Sequence, residues 1–296
     1  MLDTEQKLIA HIGIPIAIER VSVLGHEINY AVCGSGKPLL LIHGANIGWG
    51  EWYANIAQLA KHYRVFALDL PGSGNSSKID FLSFDPEKEF VEVVEQFMLD
   101  QQLVDAVLLG HSIGGWAALR IAARRNVSLC GLILVNALGF NQYVPWGYRP
   151  LAFRFLATLL ASTVMKPTRK NMRKFLVDVM HKEHRKDVPE VFIDYYHEAV
   201  TREPVTHPFL LIHRLFEGFT MKKEFFVPEL LSMVQCPLFI MASANDPLLP
   251  VEKSVLSMNR TGESERLLFQ NTGHVSPIEQ PEQFNTAVMR FLASLT

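Results

Sequence analysis

Ser112 stands within Gly110-His111-Ser112-Ile113-Gly114, directly after the apolar run Val107-Leu108-Leu109. A serine hydroxyl is a weak nucleophile on its own, so what matters is how this spacing exposes it. Small residues on either side permit a sharp turn between a buried strand and the helix-forming stretch Ile113 to Arg124. Such a turn holds the hydroxyl above the sheet instead of burying it in helix packing. It also presents the backbone N–H of Ile113, in the first helical turn, to a developing negative charge. An isolated match of this kind is equally readable as a structural turn. The strand before it, the helix after it, and acid and histidine candidates downstream favour chemistry.

The surrounding elements must hold that turn in place. Val21 to Leu24 and Ile28 to Val32 read as short edge strands joined around Gly25-His26. Pro38 to Ile42 reads as a stronger strand, followed by a His43-Gly44 loop and a helix-capable stretch around Trp49 to Leu59. Arg64 to Leu68 is the next strand, ending in the turn signal Asp69-Leu70-Pro71-Gly72-Ser73-Gly74. A helix over Glu87 to Gln102 leads to the Val107 strand. Leu129 to Val135, Pro237 to Met241 and Glu265 to Phe269 read as later strands, and Glu282 to Leu295 as a terminal packing helix. Buried strands alternating with helices predict a mostly parallel sheet covered on both faces. From Phe140 to Phe226 the rhythm breaks, with Pro145, Pro150, Pro167 and Pro189 punctuating helix candidates. Residues 140–226 are therefore expected to form a helical cap over a pocket, with 1–139 and 227–296 making the core.

Composition narrows the classes. The 296 residues carry a formal charge of −2, which gives little support to nonspecific nucleic-acid binding. Cys33, Cys130 and Cys236 lie beside strand-like segments without metal-ligand spacing and read as reduced packing residues. Neither a convincing signal peptide nor an uninterrupted apolar stretch of the roughly 20 residues a spanning helix needs is present. The expectation is a cytoplasmic protein, with peripheral membrane contact open but not favoured.

The order of these pieces resembles the α/β-hydrolase family over nearly the whole chain. The resemblance rests on the early His43-Gly44 loop, the Asp69 turn, the Ser112 elbow, the helical insertion, Asp246 and the late His274. It implies an α/β-hydrolase fold, with a mostly parallel sheet flanked by helices and an inserted helical cap. It also implies Ser112 as nucleophile, Asp246 as the acid and His274 as the general base, with the backbone N–H groups of Ala45 and Ile113 as oxyanion donors. The chemistry suits those roles. His274 would take the serine proton during attack, and Asp246 would orient and stabilise the imidazole. His43 reads as a loop organiser.

The expected reaction is hydrolysis of a small carboxylic ester through an acyl-serine intermediate. Carbon–carbon bond hydrolysis of an activated ketone, thioester or amide hydrolysis, and a non-catalytic ligand-binding module are the alternatives. Phe153, Phe155 and Leu156 are candidate pocket residues for an apolar substrate portion, with plain cap-to-core burial as the competing reading. Asn46 is a candidate polar contact, with an ordinary loop hydrogen bond as the plainer reading. The reaction requires no organic cofactor and no metal. His181 and His184, three apart beside Glu183 and Asp187, lack the H-E-x-x-H order and read as polar cap surface. Tyr195 and Tyr196 are consecutive helix positions, not expected to meet one substrate together. Pro71-Gly72-Ser73-Gly74 lacks the downstream lysine and Ser/Thr of a phosphate loop.

Overall fold

The computed structural model describes residues 3–201, 210–251 and 264–295. An N-terminal helix, α1 (Asp3–Ile12), precedes the hairpin β1 (Ala17–Val23) and β2 (His26–Cys33). Then come β3 (Lys37–Ile42), a short helix α2 (Ile56–Leu59), β4 (Tyr63–Leu68), α3 (Val93–Asp100), β5 (Ala106–His111), α4 (Ile113–Arg124) and β6 (Leu129–Val135). The helical insertion contributes α5 (Arg154–Ser162), α6 (Arg169–Asp178), α7 (Glu190–Thr201) and α8 (Leu210–Leu215), followed by a tiny hairpin, β7 (Phe216–Glu217) and β8 (Thr220–Met221). The chain returns to the sheet with β9 (Leu238–Ser243) and β10 (Glu265–Phe269), and ends in a helix over Pro281–Ser294.

Eight strands form one sheet in the order β1-β2-β4-β3-β5-β6-β9-β10. The hairpin strands β1 and β2 and the β2–β4 pair run antiparallel, and every later pair runs parallel. The central strands β5 and β9 are buried at every position, as a sheet covered on both faces demands. Crossover connections bring the C-terminal ends of β3, β5, β6 and β9 to one edge. That edge carries the Ser112 turn and the loop after β9 (Asp246).

The predicted strands correspond to strands here, with ends shifted by a few residues. Two helical expectations differ. Trp49–Leu59 is a 3₁₀ turn at Trp49–Trp52 followed by the single turn α2, because Trp49 and Trp52 are both pinned in the core. The predicted helix from Glu87 begins as a wide π-type turn over Glu87–Glu92 before becoming α3. Helix α1 was not anticipated, since its polar face hid a stripe centred on the fully buried Leu8. Cys33, Cys130 and Cys236 are unbridged.

Candidate active site

Ser112 sits at the tip of the β5–α4 turn with φ 53° and ψ −117°, a conformation that L-residues rarely adopt. Close packing around the turn explains its glycines. A Cβ on Gly114 would lie 2.5 Å from the carbonyl oxygens of Ile42 and His43, and one on Gly110 would lie 2.3 Å from the Gly114 oxygen. The backbone is tied on both sides: Ser112 N–H donates to Val135 O at 3.0 Å, and Ser112 O accepts from Trp116 and Leu138.

His274 reaches this turn from the far end of the sheet. Its Nδ1–H donates to Asp246 Oδ2 at 2.7 Å, which leaves Nε2 to accept the Ser112 hydroxyl proton at 3.0 Å. The other oxygen of Asp246 is occupied as well. Oδ1 accepts the backbone N–H groups of Leu248 and Leu249 at 2.8 and 2.9 Å, so the carboxylate is fixed by its own turn. The structure thus brings together the three residues singled out in sequence. Ala45 lines the same cavity, and Ile113 occupies the first position of α4, where a backbone N–H has no intrahelical acceptor.

The loop carrying His274 is held by groups that sequence reasoning did not find. His274 N–H donates to Val179 O at 2.8 Å, and its carbonyl accepts from Asn136 Nδ2 at 2.7 Å and His111 Nε2 at 2.8 Å. Glu279 gathers the N–H groups of Gly273, Val275 and His181. Burial pushes its carboxyl up despite those hydrogen bonds.

Behind Ser112 lies a fully buried ion pair, Glu51 Oε1 to His111 Nδ1 at 2.6 Å. His111 Nε2 faces the His274 carbonyl and Nδ1 faces the Glu51 carboxylate, an arrangement that favours the protonated ring. Burial opposes the charge, but Glu51 outweighs it and raises the His111 value. Burial likewise opposes ionisation of Glu51, and His111 with the Gly44 N–H brings its value down. Gly44 N–H donates to Glu51 Oε2 at 2.7 Å. One pair therefore joins the loop after β3, the Ser112 elbow and the His274 loop. The signals in sequence were a glutamate between two tryptophans and the histidine inside the serine motif itself. His43 is neutral: Nδ1–H donates to Gly44 O and Nε2 accepts from Leu70 N–H, and burial lowers its value. It organises the loop, as expected.

The cavity over Ser112 is walled by Ile47, Leu138, Phe175, Leu176, Leu215 and Met221 among other apolar groups, with Tyr143 and Tyr148 also on its wall. No lysine or arginine lines it among the described residues. Phe153, Phe155 and Leu156 are not brought to it. In α5 the small residues Ala157 and Ala161 face inward, so the large side chains are left on the outer surface. Asn46 is buried in its loop and does not line the cavity, although its neighbours Ala45 and Ile47 do. Tyr195 and Tyr196 are buried away from it; the Tyr195 hydroxyl accepts from Gly50 N–H at 3.3 Å. His181 and His184 lie in a turn after α6. Donor atoms of His181, Glu183 and His184 come within 4.8 Å of one another, and His184 Nε2–H donates to Asn271 O.

Residues 39–287 match the sequence profile of the alpha/beta hydrolase family. A 2-hydroxy-6-oxo-6-(2'-aminophenyl)hexa-2,4-dienoic acid hydrolase from Metapseudomonas resinovorans is 25% identical over 282 residues, spanning 93% of this chain and 91% of that protein. A pimeloyl-acyl-carrier-protein methyl ester esterase from Yersinia enterocolitica is 28% identical over 224 residues, spanning 67% of this chain and 82% of that protein. Among solved structures, a serine hydrolase involved in carbazole degradation superposes with a TM-score of 0.76 at 22% identity, covering 94% of this chain and 99% of its own. That likeness is one of fold.

Proposed function

The chain belongs to the alpha/beta-hydrolase family, and from that premise we propose that it hydrolyses a carbonyl compound with a large apolar portion, using Ser112 as nucleophile. The observation that carries this reading is the continuous path from Asp246 through His274 to Ser112, at 2.7 and 3.0 Å. Ser112 Oγ attacks the carbonyl carbon while its proton passes to His274 Nε2. The resulting oxyanion is held by the N–H groups of Ala45 and Ile113, where loss of one donor costs roughly 3–4 kcal/mol. Collapse expels the leaving group, which takes the proton from His274. Water then attacks the acyl-serine, gives its proton to His274, and releases a carboxylic acid and free Ser112.

For the bond that breaks, carbon–carbon cleavage is the stronger reading, ahead of the simple ester expected from the motif. Its support is the dienoic acid hydrolase that aligns over almost the whole of both chains. In that case the leaving group is a stabilised carbanion that takes up the proton on carbon. Ester hydrolysis keeps one specific support: the largely apolar lining, with no lysine or arginine among the described residues, suits a neutral acyl chain, whereas burying a carboxylate there is costly.

Two measurements test this. Ser112→Ala should lower kcat by about 10⁴-fold or more, and intact-mass labelling by a serine-directed phosphonate should disappear with it. Unchanged turnover in that variant would remove Ser112 from the reaction. Wild-type kcat/KM is then compared for a 6-oxo-2,4-dienoic acid and a nitrophenyl ester carrying the same acyl group. Preference for the dienoic acid supports carbon–carbon cleavage, and preference for the ester returns the reaction to ester hydrolysis.

A further inference from the structure

The outer surface of the helical insertion carries an apolar cluster that the catalytic cavity does not use. Trp146 and Phe219 are 77% and 61% exposed, and the Arg149 guanidinium lies over both rings, at 4.6 and 5.8 Å from their centres. Phe153 packs edge-on against Phe219 at 5.9 Å, so the 3₁₀ turn before α5 and the β7–β8 hairpin share one patch. Helix α5 extends it. Ala157 and Ala161 face the protein, while Phe155, 78% exposed, projects outward with Leu156 and Leu159. Isolated exposed apolar side chains need no explanation, but rings clustered around a stacked cation do.

We propose that this patch docks the protein on the surface of an anionic lipid bilayer, with α5 lying in the interface. Charge selects this occupant. From Pro145 to Val177 the sequence contains seven lysines and arginines and no aspartate or glutamate, in a chain whose net charge is −2. Arg169, Arg173 and Lys174 are taken up by Glu190, Asp194 and Asp178. Arg149, Arg154, Lys166 and Lys170 form no ion pair among the described residues; Arg149 stacks on the rings, and Arg154 follows Phe153 in the chain. Aromatic rings with adjacent cations match the headgroup region, where the rings enter the acyl boundary and the cations meet lipid phosphates. A second copy fits poorly, because a two-fold contact through the same patch would set cations against cations. Among the described residues no helix is long and apolar enough to cross a membrane, so the contact is one of lying on the surface.

The patch is continuous with the site. Pro145 and Tyr148 line the cavity over Ser112, while Trp146 and Arg149, their chain neighbours, belong to the patch. Docking would therefore place one wall of an apolar cavity beside a reservoir of apolar molecules. This consequence rests on the proposed hydrolase activity; the docking itself does not.

Flotation with phosphatidylcholine vesicles, with and without phosphatidylglycerol, tests it on the full chain. Wild type should float with the anionic vesicles and be released by salt. The double variant Phe155→Ser, Phe219→Ser should bind about 10-fold more weakly, with hydrolysis of a water-soluble short substrate unchanged. The exposed positions leave the core intact, and a native circular dichroism spectrum checks that. Wild type remaining with the soluble fraction would overturn the proposal, as would undiminished flotation of the variant. So would a dimer seen by light scattering that the same two changes abolish. Flotation without any turnover would leave docking standing and count against the hydrolase reading alone.

Discussion

At Ser112 the fold accepts a left-handed backbone at a non-glycine residue, held by hydrogen bonds to β6 and to the start of α4. That strain is affordable only if the neighbouring glycines let the chains close up. Gly114→Ala forces a methyl group to within 2.5 Å of the Ile42 and His43 oxygens, at the end of β3 and the start of the loop that carries Ala45. The expected outcome is a folded protein whose kcat/KM is about 100-fold lower, since displacement of reacting groups by an ångström has that effect. Steady-state kinetics at constant circular dichroism checks it, and wild-type activity would show that the close approach is dispensable. This residue-level geometry was legible in sequence because it is local: three small residues and a strand–helix boundary within one pentapeptide. Asn46 was less legible. Its place in the loop beside Ala45 is visible in sequence, but which way its side chain turns depends on packing from elsewhere.

Between elements, the Glu51–His111 pair is the principal brace, and it makes stability depend on pH. His111 has a folded value raised above its ordinary 6.5, so its contribution is complete below 6.5 and is lost as pH rises through the raised value. Glu51 has a folded value below its ordinary 4.5, so its contribution is complete above 4.5 and is lost as pH falls through the lowered one. The pair therefore stabilises the loops around Ser112 across the window between. Glu51→Gln removes the carboxylate that keeps the buried His111 ring protonated and should cost about 3–5 kcal/mol near pH 6. The deficit should shrink at alkaline pH, where wild-type His111 has also lost its proton. Urea unfolding across the pH range measures this, and a deficit that does not vary with pH would refute it. The insertion teaches the opposite lesson about legibility. Apolar residues at Phe153, Phe155 and Leu156 read as pocket walls, yet the inward face of α5 is set by Ala157 and Ala161, whose small side chains allow close packing. Hydrophobicity alone does not say which side of a helix will be covered.

For the molecule as a whole, α1 joins parts of the chain that are far apart. Glu5, fully buried, accepts from Trp49 Nε1 at 2.8 Å and Asn75 Nδ2 at 3.1 Å, while Thr4 donates to Glu198 on α7. The first helix thus ties two core loops to the insertion. Glu5→Ala leaves two buried donors without this acceptor, at about 2–4 kcal/mol, and should lower Tm by roughly 3–6 °C. A scanning-calorimetry Tm within a degree or so of wild type would show that water replaces the carboxylate. The strands, the elbow and the candidate nucleophile could be read from the sequence, because periodicity and a sharp turn are written in neighbouring residues. The candidates Asp246 and His274 could also be read from it, through their order along the chain. Packing of distant elements is what brings His274, 162 residues from Ser112, to within 3.0 Å of it. The same holds for the buried Glu51–His111 charge pair behind the elbow and for the outward-facing aromatic rings of the insertion. Each depends on which surfaces the packed sheet and helices cover, and burial is a property of the assembled chain that no local pattern encodes.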